Sequence, residues 1–494
     1  MHYFTFADKD TTLYENSSSL NSGLDEILEI RKDVSDTGAF KEVSRTLIKF
    51  DLTYISQSIV SRLIPDSGSK AARFYLNLYD AHPTSLAASQ SLYAYPVSQS
   101  WEMGEGHSYD NPVTKEGCSW NFSKGITDGT LWTPETTASG ATWYQNYASG
   151  SLDFITGSAG IFGTSSLDEV QITVAGTEYN FIATASAPLP DDASPNFYFS
   201  TGSTTSEFGS NLITEINSAD IGISASFSGT TTLHITASSI TTAGLTDISV
   251  DTGSDGTYSD ILTLGGGGVP YEASQSFTKD SEDVRMDVTG IIRAWLSESI
   301  DNEGFIIKRR GNIGNSDKFS DENNTQRLGN FSFFSSDTNT KYPPTLEMVW
   351  DDSKWNVGSL SALTSANLED SVLYMKGLRP EYNQKSKVKF RVVGRERFPD
   401  KTYSTTPSTL TVKTLPPSSS YYSILDAETD EVIVPYGSGS QLSCDSSGNY
   451  FNVWMDGFQP ERYYKLEYRI QSGSGTDEEI NQYYDEGFTF KVTL

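Results

Sequence analysis

Between Lys124 and Lys279 the chain has not one Lys or Arg. Cysteine is almost as scarce: Cys118 and Cys444 are the only two, so no disulfide framework exists beyond a single bridge, and folding in a reducing cytosol is expected. The four histidines, His2, His82, His107 and His234, do not pair at metal-ligand spacing, and there is no CxxC, which argues against a zinc site. No apolar run approaches the roughly 18 residues needed to span a bilayer. The opening MHYFTFADKD lacks a basic segment followed by an apolar one, so no secretory signal is expected. A GxSxG elbow, a phosphate-binding loop and a dinucleotide fingerprint are missing too.

Features that imitate a site have simpler readings. His107, in the loop GEGHSYDN, reads as an exposed loop histidine rather than a general base. Asp251 to Gly256 resembles part of a calcium loop, but Gly253 stands at its third position and Leu262 at its twelfth, where liganding residues belong. Gly265 to Gly268 read as a flexible linker, because no Lys-Ser/Thr follows. Carboxylates are too numerous for a glycosidase pair to stand out. The expectation is no catalytic residue, no cofactor, no metal ligand and no enzyme activity.

Among 494 residues, Asp and Glu number 64 against 35 Lys and Arg, giving a net charge of −29. Such a surface repels nucleic-acid backbones and anionic membranes. The length implies about three or four domains. With 27 Tyr, 25 Phe and 40 Gly and no long helical pattern, the chain reads as mainly β. Segments such as HYFTFADKD, SRTLIKFDL, RFYLNLYD and SLYAYPV alternate apolar and polar residues. In Arg45–Leu52 the apolar set is Leu47, Ile48, Phe50 and Leu52, which predicts a half-buried strand. Trp101, Trp120, Trp132 and Trp143 follow in loops. They could form a sugar-stacking platform, but large aromatics usually bury, and packing is the favoured reading.

Residues 160–269 hold 12 acidic residues and no basic one. VQITV and EYNFIA predict one hairpin, and ISASFSG and TLHITAS another. Leu212, Ile213 and Ile216 sit at helical spacing between them. A small α+β unit inserted into a loop explains this block, since loop tips tolerate insertions. The sandwich pattern resumes near Val269. Val288, Ile291, Ile292 and Trp295 predict a helix there, capped by Asp287 or Thr289. In the tail, Met375-x-Gly377-x-x-Pro380-Glu381 recurs 80 residues on as Met455-x-Gly457-x-x-Pro460-Glu461, followed by KVKFRV and KLEYRI respectively. This predicts two tandem β-sandwiches with a seam near Leu415-Pro416-Pro417-Ser418. The expected fold class is therefore mainly β: multi-domain β-sandwiches in tandem with one small α+β inserted domain. The expected boundaries are 1–158 plus 269–350 for the split sandwich and 160–268 for the insert. A fibronectin-like sandwich over 351–415 and its repeat over 416–494 complete the chain.

The segments ADKDTTLYE, RTLIKFDL, FYLNLYD, DVTGIIRAWL, GFIIK and FSSDTNTKYPPTLEMVW together make the split domain resemble the DNRLRE-type β-sandwiches. The resemblance covers its two halves, and the long insertion and the Trp-rich loop depart from it. It implies a binding or structural module. The tail, with SSYYSILDAETDEVIVPY and SCDSSGNYFNVWMDGFQPERYYKLEYRI, resembles segments of structural proteins of marine tailed phages, cyanophages especially. That likeness implies a virion structural protein of a tailed bacteriophage, in the tail, baseplate or fibre-attachment region. It would assemble in the host cytoplasm, contact other virion proteins, and be present in many copies. The alternatives are a carbohydrate-binding adhesin recognising host surface glycans through the Trp-rich loops, and a polysaccharide-cleaving enzyme. Neither nucleic-acid binding nor membrane insertion is expected.

Overall fold

The computed structural model describes the chain outside residues 35–40, 88, 111–115, 126–128, 133–139, 145–148, 154–167, 175–176, 185–188, 201–204, 220, 222, 229–231, 238–247, 252–270, 279–282, 310–321, 323–324, 364–370, 400–402, 407–411 and 473–479. The linker at Gly265–Gly268, most of the Asp251–Gly256 loop and the expected boundaries of the insert lie outside the described residues. The chain is mainly β, with three α-helices among the described residues.

The first segment forms β1 (His2–Phe6), β2 (Lys9–Tyr14), β3 (Ile27–Val34), β4 (Lys41–Lys49), α1 (Thr53–Val60), β5 (Arg73–Leu78), β6 (Gln90–Pro96), and the short pair β7 (Phe122–Lys124) and β8 (Thr130–Leu131). Then come β9 (Ser149–Asp153), β10 (Asp168–Val174), β11 (Thr177–Thr184), β12 (Asn196–Ser200), α2 (Thr205–Ser218), β13 (Ile223–Ser228), β14 (Thr232–Ala237) and β15 (Ile248–Asp251). They are followed by β16 (Ala273–Phe277), β17 (Val284–Asp287), α3 (Thr289–Leu296), β18 (Phe305–Lys308), β19 (Gly329–Phe334) and β20 (Thr345–Val349). The tail adds β21 (Ser371–Met375), β22 (Glu381–Asn383), β23 (Lys387–Glu396), β24 (Ser420–Asp426), β25 (Val432–Val434), β26 (Ser443–Asp445), β27 (Gly448–Trp454), β28 (Tyr463–Ser472) and β29 (Ile480–Thr493).

Strands from both sides of the acidic block alternate in the same two sheets. One has the order β1-β20-β5-β17; the other runs β16-β6-β18-β4-β3-β19, with β2 also on β4. Leu76, Leu346, Met348, Ile48, Phe305 and Ile307 meet between them. The half-buried reading of β4 needs correction, because both of its faces are covered. Ile48 enters the core between the sheets, while Val43 and Leu47 enter a second core built by the Trp-rich loops. β18 alternates in the same way, with Phe305 and Ile307 on one side and Ile306 on the other. The adjacent apolar pair Leu47-Ile48 was the visible sign: one side chain serves each face.

α3 buries Ile291, Ile292 and Trp295, the stripe expected from its spacing. Its N-cap is Val288, which has no capping side chain; the Asp287 carboxylate instead accepts the Thr289 N–H at 3.0 Å. α1, which the strand reading of this region had not included, begins the same way: Asp51 Oδ1 accepts from the Thr53 N–H and hydroxyl at 2.9 and 2.6 Å.

In the acidic block β10 and β11 pair antiparallel, as do β13 and β14. α2 packs on β11, β12 and β13 through Leu212 and Ile216, both fully buried, with Ile213 half-buried. One boundary moves. β9, assigned by sequence to the first sandwich, pairs with β14 from Ser149↔Thr236 to Asp153↔Thr232.

The tail departs most from expectation. Residues 351–415 and 416–494 do not form separate sandwiches. One sheet has the order β21-β23-β27-β26 and the other β22-β29-β28-β24-β25, so each mixes strands of both halves. Leu373, Phe390 and Val392 share one core with Tyr422, Phe451, Tyr468 and Phe490. Each copy of the Met-x-Gly-x-x-Pro-Glu motif follows a strand of the first sheet, β21 or β27. The return strands then differ: β23 lies in the first sheet and β28 in the second. The repeat marks two turns of one sandwich, because strand pairing between halves buries both apolar faces at once.

Candidate functional site at the joint between the sandwiches

Among the described strands β1 lies at a sheet edge and is bonded to β20, and its alternation serves two modules. Tyr3 points into the core of the first sandwich and Phe4 into that of the tail. The tail reciprocates with Trp454, which lies in the first core and meets Tyr3 edge-on at 4.8 Å. Phe4 meets Phe458 edge-on at 6.3 Å. Such pairs contribute on the order of 1 kcal/mol beyond the area they bury. The close approach depends on small residues. A Cβ on Gly457 would lie 3.0 Å from the Phe4 backbone nitrogen, and one on Gly439 would lie 2.6 Å from His2 Nε2.

Polar groups fix the angle of the joint. Tyr3 donates its hydroxyl to Asp456 at 3.0 Å. His2 Nδ1 donates to Glu347 Oε1 at 2.7 Å, and Arg285 holds the other oxygen at 3.0 Å. Burial lowers the His2 pKa despite this carboxylate, so the imidazole is neutral at neutral pH. Across the seam Lys341 reaches Glu431 at 2.7 Å and Asp426 at 3.5 Å. Burial would raise the Asp426 pKa, but Arg462, two backbone N–H groups and Lys341 outweigh it and hold it at about 2. Between these groups lies a cavity of about 70 Å³, lined partly by Phe6, Tyr79, Tyr342 and Tyr464. That is space for a few waters, well below the roughly 300 Å³ of a small-molecule pocket. Fixed charges paired across a seam position two bodies; among the described residues here none is a nucleophile beside a base.

The four indoles of the Trp-rich loops are buried: Trp132 is fully enclosed and Trp120, the most exposed, shows 5% of its surface. They cover the outer face of β4 and β18, so a sugar platform built from them is not available at the surface. Beneath them sits a charge cluster that sequence reading missed. Arg45 bonds Glu322 through Nε at 3.2 Å and Nη2 at 2.7 Å, and Lys308 lies 3.1 Å from the same carboxylate. The Arg45 guanidinium lies 4.7 Å from the Trp120 ring, and Lys308 Nζ 4.8 Å from Trp143. Burial raises the Glu322 pKa, but the two cations more than reverse this and leave it lowered.

His107 stacks on Tyr109 at 4.9 Å and lies 3.6 Å from Asp25, with its side chain partly exposed. Cys118 and Cys444 are free and buried, and burial pushes their thiols up to about 12 and about 11. Neither is a thiolate at neutral pH. Among the described residues no group of three or more His, Cys, Asp or Glu could hold a metal ion. Open grooves of about 310 and 410 Å³ flank α1 and α3. No helix of the described residues is long and apolar enough to cross a membrane.

No family model matches the chain, and neither a curated protein nor a solved structure matches it.

Proposed function

We propose that the chain is a virion structural protein of a tailed bacteriophage, a tail, baseplate or fibre-attachment component that acts by protein–protein contact. The observation that carries this reading is the exchange of Phe4 and Trp454 between the two sandwiches. It joins them as a stiff unit, while the acidic unit is an addition to that frame. A stiff spacer with a charged appendage suits a particle component better than a catalyst, which would need a polar cavity with convergent chemistry. On this reading the first sandwich is of the DNRLRE type, and the chain occurs in many copies, assembled with other virion proteins in the host cytoplasm. The adhesin alternative loses its proposed platform, because the four indoles are buried. Mass spectrometry of purified particles tests the proposal. The protein should be present at a fixed copy number. Its absence from particles, with a free monomer binding host glycans, would overturn the reading.

A further inference from the structure

Charge is distributed unevenly in this chain. Residues 376–397 contain eight Lys or Arg and two Glu, a net +6 within a total of −29. Much of that charge is on β23, a central strand between β21 and β27. Alternation sends Phe390 and Val392 into the tail core and puts Lys387, Lys389, Arg391 and Arg395 on the opposite, outer face. Lys387 and Lys389 are exposed. Cross-strand aromatics support their stems: Lys387 Nζ lies 4.5 Å over Trp454 and Lys389 Nζ 3.5 Å over Tyr450. Asp445 pairs with Lys389 at 2.9 Å and Arg391 at 2.8 Å, which neutralises only part of the stripe.

A cationic sheet face flanked by aromatics draws an acidic surface. The chain itself carries one: residues 160–269 have 12 carboxylates and no Lys or Arg, and Glu178, Asp191, Asp192 and Glu207 are exposed. We propose that the outer face of the β21-β23-β27-β26 sheet is a docking surface for the acidic insert of a second copy of this chain. Charge complementarity selects the occupant. A nucleic acid would also be attracted to the stripe, but the chain's overall charge opposes it. Two different patches meeting head to tail propagate into a ring or a filament rather than closing as a dimer. The inference rests on the assembly reading and gives it a contact.

Sedimentation velocity of the full chain tests it, over a concentration series at about 20 mM and about 0.5 M salt. Self-association is expected at low salt and should weaken about tenfold or more at high salt. Two variants, K387E/K389E and E178K/D191K/D192K, should each lose self-association. Mixed in equal amounts they should associate again, since the intact stripe of one variant meets the intact insert of the other and the two charge-reversed patches are complementary as well. That rescue also shows that both variants are folded. A monomer under all conditions would overturn the inference. So would association untouched by either variant, although the assembly reading would then survive through another surface. Binding of a single-stranded DNA oligonucleotide, abolished by K387E/K389E while self-association persists, would assign the stripe to nucleic acid instead.

Discussion

Two buried carboxylates should respond to pH with opposite sign. Glu322 has its pKa lowered by Arg45 and Lys308, so its contribution is present above the unfolded value of about 4.3 and is lost as pH falls through its lower folded value. Removing it leaves two buried cations against the indoles. Glu322→Gln should destabilise by about 3–5 kcal/mol in denaturant unfolding at neutral pH. Asp10 is the reverse case. Its Oδ2 accepts the Ser336 N–H at 2.7 Å, while its buried Oδ1 has no hydrogen-bond partner, and burial pushes the carboxyl up to about 7. The fold favours the protonated form, so this contribution is full below about pH 4 and is lost as pH rises through 7. Asp10→Asn removes that titration. The wild type should lose more than about 1 kcal/mol relative to the variant between pH 5 and 8. Parallel stability curves over that interval would show that Asp10 is ionised throughout.

At the scale of elements, the two motif glycines do different work. Gly377 has φ +76° with open space around its Cβ position, so Gly377→Val should cost on the order of 1 kcal/mol through backbone strain alone. Gly457 does not adopt a positive φ, yet a Cβ there would press on Phe4; Gly457→Val should loosen the joint while leaving each sandwich folded. Crosslinking between cysteines introduced on either side of the seam would register that loosening. The pairing of β9 with β14 sets the limits of a clean excision. Deleting 145–270 should preserve cooperative unfolding of the first sandwich, whereas deleting 160–269 strands β9 as an unpaired edge and should promote aggregation in light scattering. The mainly β character, the insert hairpins and the α3 stripe were legible because each is a local pattern of period 2 or 3.6. Partner choice was not. Nothing near Lys387 says that β23 pairs with β27 some 60 residues later, so a duplicated turn looked like a duplicated domain. α1 could have been read from Asp51-Leu-Thr53, the counterpart of Asp287-Val-Thr289. The basic stripe was visible as eight cations in 22 residues, hidden inside a strongly negative total.

For the whole molecule, the exchange of Phe4 and Trp454 predicts one coupled transition for the first sandwich and the tail in calorimetry. Phe4→Ala or Trp454→Ala, each costing about 3–5 kcal/mol, should split that transition in two. A single unchanged endotherm in both variants would show that the modules are coupled elsewhere. The same exchange orders events on the ribosome. Phe4 is synthesised some 400 residues before most of the tail core it completes, and Trp454, needed to finish the first core, is made after all of that core's other strands. A nascent chain therefore holds a strand with one face uncovered until the tail strands are made, and a chain broken off before Trp454 cannot cover it. Products terminated before Trp454 would expose an aromatic edge open to chaperones and proteases, so that chains carrying both modules would be the ones to persist.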